Sequence, residues 1–306
     1  MKSMNNAYDI IGDVHGQADA LVALLRQLDY EERGEVWRHN ERSVIFVGDF
    51  IDRGPKQVES IMIVRRMIDA GVALAVMGNH DFNAVAWYLP DPSNPGDHLR
   101  SHFSNEYGAK NRRQHAEFLR EVERHPSLHE EIIDWVLTLP LWLDLPGLRI
   151  VHACLHSRFI EYLTARLLPG ALLSVDLMQA ATCEPAGADE KDTPEPTLFK
   201  AVDMILKGME VPLPLGSSFR DKDGIERTRA RVRWWDDDAT TYRKAALLES
   251  RMHDQLPELP IPSHLLRSHA TDKPIFFGHY SLKGAPDLLS ERIAGFVNLT
   301  WPLSMA

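Results

Sequence analysis

Tyr8-Asp9-Ile10-Ile11 runs straight into Gly12-Asp13-Val14-His15-Gly16, and the pattern repeats where Val44-Ile45-Phe46-Val47 meets Gly48-Asp49-Phe50-Ile51-Asp52-Arg53-Gly54. Each short apolar run, rich in β-branched residues, reads as a buried strand, and the glycine and acid mark its end. Three more runs, at 72–76, 148–151 and 275–277, are followed by Gly78-Asn79-His80-Asp81, by His152-Ala153-Cys154 and by Gly278-His279. Between the first two runs, Leu21, Leu24, Leu25 and Leu28 keep the i, i+3, i+4, i+7 spacing of an amphipathic helix, and Val58, Ile61 and Met62 begin another after Pro55. Strand alternating with helix is the α/β pattern, and in such sheets the carboxyl ends of the strands gather the ligand crevice. Five strand ends would therefore present Asp, His, Asp, Asn, His and His together.

The residue types at those ends suit metal ligation. In an extended segment residues two apart point the same way, so Asp13 and His15 are expected to grip one ion together, whereas the neighbours Asn79 and His80 point apart, one to a metal and one to a substrate. Gly12, Gly48 and Gly78 let the backbone turn without a Cβ clash. An oxygen and imidazole set without thiolates suits divalent ions such as Mn, Fe, Zn, Ni or Co, with Mg also accommodated. The donors Asp13, His15, Asp49, Asn79, His152 and His279 are too many for one catalytic ion with open positions, and fit two ions about 3.5–4 Å apart that share a carboxylate.

Composition narrows the class further. The 306 residues are 44% hydrophobic and 25% charged, an ordinary globular mixture. Forty-four acids against 34 Lys and Arg leave a net charge of −10, which disfavours nucleic acid or an anionic membrane as partner and requires a local basic site for any anionic substrate. Two cysteines, Cys154 and Cys183, cannot build a disulfide framework. No apolar stretch approaches the ~20 residues of a spanning helix, and the start lacks the basic and apolar regions of an export signal, so a cytoplasmic location is expected. One domain over 1–306 is the simplest organisation, with a helical insertion at 82–146 (patterns at 103–123 and 130–139) and a flexible acidic, Pro-rich loop at 184–197.

The ordered set Gly-Asp-x-His-Gly, Gly-Asp-x-x-Asp-Arg-Gly, Gly-Asn-His-Asp, Val-His-Ala and Gly-His resembles the calcineurin-like metallophosphoesterase superfamily. Asp52-Arg53-Gly54 narrows the resemblance to the phosphoprotein phosphatase branch, which includes Ser/Thr protein phosphatases and symmetrical diadenosine tetraphosphatases. The match is dense over 9–81 and returns at 149–154 and 275–280. The resemblance implies a two-sheet β-sandwich flanked by helices and two divalent ions, manganese first among them. It also implies roles: Asp13, His15 and Asp49 at the first ion, Asp49 bridging, and Asn79, His152 and His279 at the second. His80 would protonate the leaving group with Asp52 orienting it, and Arg53 would clasp the phosphoryl oxygens. Attack on phosphorus by a hydroxide bridging the ions is the implied reaction. A second phosphate contact is also implied, and the sequence leaves it open among Arg227, Arg229, Arg231, Arg233 and Arg243. Two departures stand out: Asp81 where protein phosphatases carry Glu, and Cys154 where glycine is usual, a redox liability if its thiolate is exposed.

If 227–233 is a strand, its period of two lays four arginines on one face, either a solvated edge or an anion-collecting wall. Trp234 and Trp235 are expected in the core, and the basic patch at Lys110, Arg112 and Arg113 on a solvated helix face. The expected activity is a phosphatase of the protein Ser/Thr type acting on a phosphorylated protein. The alternatives are a dinucleoside polyphosphate hydrolase and, of another class, an inactive module that binds a phosphorylated partner; nucleic-acid cleavage is a weaker variant given the net charge.

Overall fold

A computed structural model describes residues 7–185, 187, 193, 195–221, 224–248, 250–262, 273–280, 288–290 and 293–295. Of the acidic loop expected at 184–197, residues 186, 188–192 and 194 lie outside these. The chain enters through β1 (Ala7–Ile11), α1 (Ala18–Gln27), a hairpin of β2 (Glu31–Arg33) and β3 (Val36–Arg38), β4 (Arg42–Phe46), α2 (Gln57–Asp69) and β5 (Ala73–Ala75). Strands β1, β4 and β5 form one parallel sheet with β4 in the middle. Four helices follow: α3 (Asn79–Tyr88), α4 (Gly108–Gln114), α5 (Ala116–Val122) and α6 (Pro126–Leu137). The helical pattern expected over 103–123 is thus two short helices, broken at His115.

A second sheet is built from β6 (Trp142–Asp144), β7 (Arg149–Val151) and, far along the chain, β12 (Ile275–Phe277), β13 (Leu288–Ser290) and β14 (Ile293–Gly295), in the order β13-β14-β12-β7-β6. Between β7 and β12 lie α7 (Ser157–Thr164), α8 (Val175–Thr182), α9 (Leu198–Lys207), β8 (Glu210–Pro212), the paired β9 (Phe219–Arg220) and β10 (Glu226–Arg227), and β11 (Arg229–Arg231), which pairs with β8.

Alternation along the strands explains the layering. Ile45 and Val47 at β4, with Val76 and Ile150, form a small apolar cluster edged by Tyr8, Ile10 and Phe276, which is the seam between the two sheets. The intervening Ile11, Val44 and Phe46 turn the other way into the larger core, with Leu21 and Leu25 of α1 and Ile61 and Val64 of α2. The result is a two-sheet α/β sandwich flanked by helices. Helix α3 is buried on nearly every side, from Asn79 to Trp87, and so carries polar side chains into the interior. Trp234 and Trp235 are buried against Phe277, and the Trp234 indole donates to the Ala153 carbonyl at 2.9 Å. Among the described residues no helix is long and apolar enough to cross a membrane.

Candidate metal centre

Five parallel-strand ends open onto one rim. Asp13 and His15 follow β1; Asp49, Asp52 and Arg53 follow β4; Asn79 and His80 start α3 after β5; His152 follows β7; and His279 follows β12. Asp13 and His15 do not sit on an extended segment, as the spacing suggested: β1 ends at Ile11, and His15 has φ +47°. The two side chains come together because the loop curls back, with the His15 N–H donating to the Asp49 carbonyl at 2.8 Å. Asp49, Asp52, Arg53 and His279 also carry positive φ (54°, 71°, 69° and 65°). Non-glycine residues in this region cost about 1 kcal/mol or more each and persist where the surroundings over-determine them. Gly78 is forced by proximity: a Cβ there would lie 2.2 Å from the Asp49 backbone nitrogen and Oδ1.

The donor atoms converge. His15, Asp49 and His80 form one set within 4.8 Å, and Asp49, His152 and His279 a second, with Asp49 shared. His15 Nε2 lies 3.6 Å from Asp49 Oδ2 and 3.8 Å from Asp13 Oδ2; His152 Nε2 lies 3.4 Å from Asp49 Oδ2. Asn79 Oδ1 stands between the last two histidines, 3.1 Å from His152 Nε2 and 2.8 Å from His279 Nδ1. Asp13 accepts the His279 backbone N–H at 3.0 Å, joining the first and last strand ends.

These residues fit divalent ions on their own chemistry. His15 Nδ1 and His152 Nδ1 face the backbone carbonyls of Ile51 (2.8 Å) and Val47 (2.7 Å), which only accept, so each Nδ1 carries the proton and donates it. In the neutral His15 ring Nε2 is then a lone pair facing the lone pairs of Asp13 and Asp49, an arrangement that needs a positive charge between them. Asp13 Oδ2 and His15 Nε2 are buried with no hydrogen-bond partner. Burial and the Asp49 charge push Asp13 up to about 6, and burial pushes His15 down to about 4. Burial opposes charge on His152 too, but Asp49 outweighs it and raises that imidazole to about 9. Burial works against the Asp49 carboxylate likewise, yet His152, His80 and His15 hold it well below its ordinary value. A cation relieves this whole pattern of crowded buried acids and bases.

His80 differs from the other donors in its partner. Its Nδ1 is 2.5 Å from Asp52 Oδ2, and although burial disfavours its charge, Asp49 and Asp52 raise its pKa. Asp52 is fully buried and has a second imidazole on it, His115, whose Nδ1 is 2.9 Å from Oδ2. Burial alone would raise Asp52, and the bonds from His115 and His80 outweigh it. Sequence reading passed over His115. Its only signal is a polar residue at the α4–α5 break, inside an otherwise amphipathic stretch. Beside it, Gln114 accepts from Arg100 Nη2 at 2.5 Å and sets its amide nitrogen 3.3 Å from His80 Nδ1.

Asp81, noted only as a departure, accepts the N–H groups of Asp49 (2.8 Å), Phe50 (2.9 Å) and Gly78 (2.9 Å), and so ties the β4 loop to α3. Arg53 is exposed at the rim. The arginines of 227–233 do not form one ladder: Arg227 belongs to the β9–β10 hairpin and pairs with Asp221, and Arg233 lies beyond β11 and pairs with Asp236. Arg231 reaches the centre, with Nη1 3.1 Å from His279 Nε2, while Arg243 is held by the Leu256 carbonyl and Glu258. Cys154 is buried, and burial raises its thiol well above the ordinary value, so it is not an exposed thiolate.

A centre of carboxylate, carboxamide and imidazole groups on five strand ends defines a metallophosphoesterase arrangement. The model of the calcineurin-like phosphoesterase family matches residues 8–163, and the chain belongs to that family. It is 28% identical over 159 residues to an asymmetrical bis(5'-nucleosyl)-tetraphosphatase of Oceanobacillus iheyensis, covering 52% of this chain and 58% of that one. It is 26% identical over 159 residues to a symmetrical bis(5'-nucleosyl)-tetraphosphatase of Vibrio vulnificus, covering 52% and 48%. The chain thus spans about half the length of these curated relatives. Among solved structures, a protein serine/threonine phosphatase from Saccharomyces cerevisiae aligns over 97% of this chain and 68% of its own, at 13% identity and a TM-score of 0.45.

Proposed function

We propose that this chain is a metal-dependent phosphoric-ester hydrolase whose substrates are dinucleoside polyphosphates. The observation that carries the reading is two donor sets sharing Asp49, in the first of which His80 is bonded through Nδ1 to Asp52 and is thereby suited to move a proton. A module that only binds phosphate has no need of that pair. The names of the matched relatives support the substrate class.

Asp13, His15 and Asp49 would hold one divalent ion, and Asp49, Asn79, His152 and His279 a second, with manganese the ion expected first. Ions held there supply a lowered pKa for bound water and neutralise phosphoryl charge. The rest falls to the chain. Asp52 accepts a hydrogen bond from His80 Nδ1–H, which fixes the ring and leaves Nε2–H to deliver its proton to the departing oxygen. His115 holds Asp52 in place for that contact. Arg53, after β4, and Arg231, at the end of β11, would bring guanidinium groups to the rim to bind phosphoryl oxygens. An exposed Arg53 also suits a phosphomonoester projecting from a protein, and phosphoserine or phosphothreonine hydrolysis is the second reading.

Product analysis on the manganese-reconstituted protein, with a chelator control, tests both. The proposal predicts ADP, or ATP with AMP, from diadenosine tetraphosphate. Phosphate release from phosphopeptide with an untouched dinucleotide would favour the second reading, and no turnover of either would defeat both.

A further inference from the structure

A cavity of about 420 Å³ abuts the metal centre, and Arg231 is the wall they share: it lines the cavity while its Nη1 meets His279 Nε2. That volume is of the size that receives a nucleotide-sized ligand. Its charge is out of keeping with the chain. Six cationic side chains and three acidic ones line it, in a protein whose net charge is −10. Aromatic surface comes from three elements, with Phe82 on α3, Phe159 on α7 and Phe199 on α9. Asn83, also on its wall, is 95% buried, and among the described residues no hydrogen bond engages its amide. It lies one helical turn beyond the expected ligand Asn79, on the same side of α3.

A peptide phosphoester needs an open track for an extended backbone, whereas this space gathers three phenylalanines, a buried amide and surrounding cations. Planar, polar-edged and anionic at one end is the description of a nucleoside phosphate. We propose that this cavity seats one nucleoside end of the substrate: the base lies against Phe82 and Phe159, its edge meets the Asn83 amide, and Arg231 and Arg100 take the phosphates that lead to the metal centre. The proposal rests on the hydrolase reading above and adds the residues that select the substrate. Base stacking and a two-point amide contact are each strong enough to set specificity.

The test compares wild type, Asn83→Leu and Phe159→Ala, all manganese-loaded, on diadenosine tetraphosphate and on p-nitrophenyl phosphate, which has no nucleoside. The loss in kcat/KM on the dinucleotide should exceed the loss on p-nitrophenyl phosphate by about tenfold or more in each variant. Equal losses on the two, or none on the dinucleotide, would overturn the assignment. Calorimetric titration of the wild type covers the case in which the variants misfold: ADP should bind about tenfold more tightly than inorganic phosphate, and equal affinities would overturn the proposal. Hydrolysis of p-nitrophenyl phosphate by the wild type reports separately on the hydrolase reading, so the two fail independently.

Discussion

The metal rim and the helices between β5 and β6 meet at one carboxylate and hold it by opposite means. On the rim side, Asp49, Asp52 and Arg53 after β4, His15 after β1 and His279 after β12 all take left-handed backbone conformations. On the helical side, His115 reaches the same Asp52 from a break between two ordinary short helices, with no strained backbone of its own. The rim concentrates strain because five chain segments must bring donors to one point. The helices carry none because their residues act on side chains already placed, and packing alone sets their distance. Substitutions on the rim should therefore abolish chemistry, and substitutions in the helices should tune it.

The largest effect is expected at Asp49, the carboxylate common to both donor sets. Asp49→Asn should lower kcat by about 10³-fold or more while the circular dichroism spectrum stays that of the parent. A small kinetic loss would show that Asp49 is not shared. Next comes His80→Ala, with a loss of about 10²- to 10⁴-fold on poor alkoxide leaving groups and far less on p-nitrophenolate, which needs no proton. Because Asp49 and Asp52 raise the His80 pKa, the acid form persists above the ordinary imidazole range, and activity on alkoxide esters should fall as pH climbs through that raised value. Leaving-group series and pH–rate profiles read both, and equal losses on all esters would remove His80 from the acid role.

From the helical side, His115→Ala should cost about tenfold in kcat with KM little changed. Without the His115 donor, Asp52 attracts the His80 proton more strongly, so the alkaline limb should move to higher pH. His115→Asn, which keeps a donor at the Nδ1 position, should recover most of the rate. The smallest effect concerns stability. His129 packs edge-on to Tyr88 and Phe118, and burial pushes its pKa down to about 4. A histidine that stays neutral when folded but charges below pH 6.5 when unfolded contributes stability at neutral pH that is lost as pH falls from 6.5 toward 4. Partial exposure limits this to about 1–2 kcal/mol. Urea midpoints against pH should show that loss in the parent and a smaller one in His129→Phe.

The same contrast explains what could be read from the sequence. Glycine followed by Asp, Asn or His after an apolar run is legible because ligand chemistry and backbone turning both leave marks in local sequence, and the family model matches residues 8–163, which hold all of those marks but Gly278-His279. What lies between strands leaves weaker ones. His115 reaches Asp52 across 63 positions, and nothing local announces such a pairing. The arginines of 227–233 suggested a continuous period-two face, but Thr228 separates two strands with different partners, so only Arg231 is carried to the centre. Asp13 and His15 were brought together for a reason other than the expected one, by a loop that curls back and not by strand alternation. Local chemistry is thus visible in advance, whereas which segment a loop or helix break delivers it to is set by packing.

Metal content, measured by plasma mass spectrometry on desalted, manganese-reconstituted protein, puts the shared-carboxylate centre to trial most directly. The parent should retain about two divalent ions per chain, falling to about one in His15→Ala, which touches only the first donor set, and to about one in His279→Ala, which touches only the second. A parent that retains no ions, or a stoichiometry that neither substitution lowers, would contradict the account.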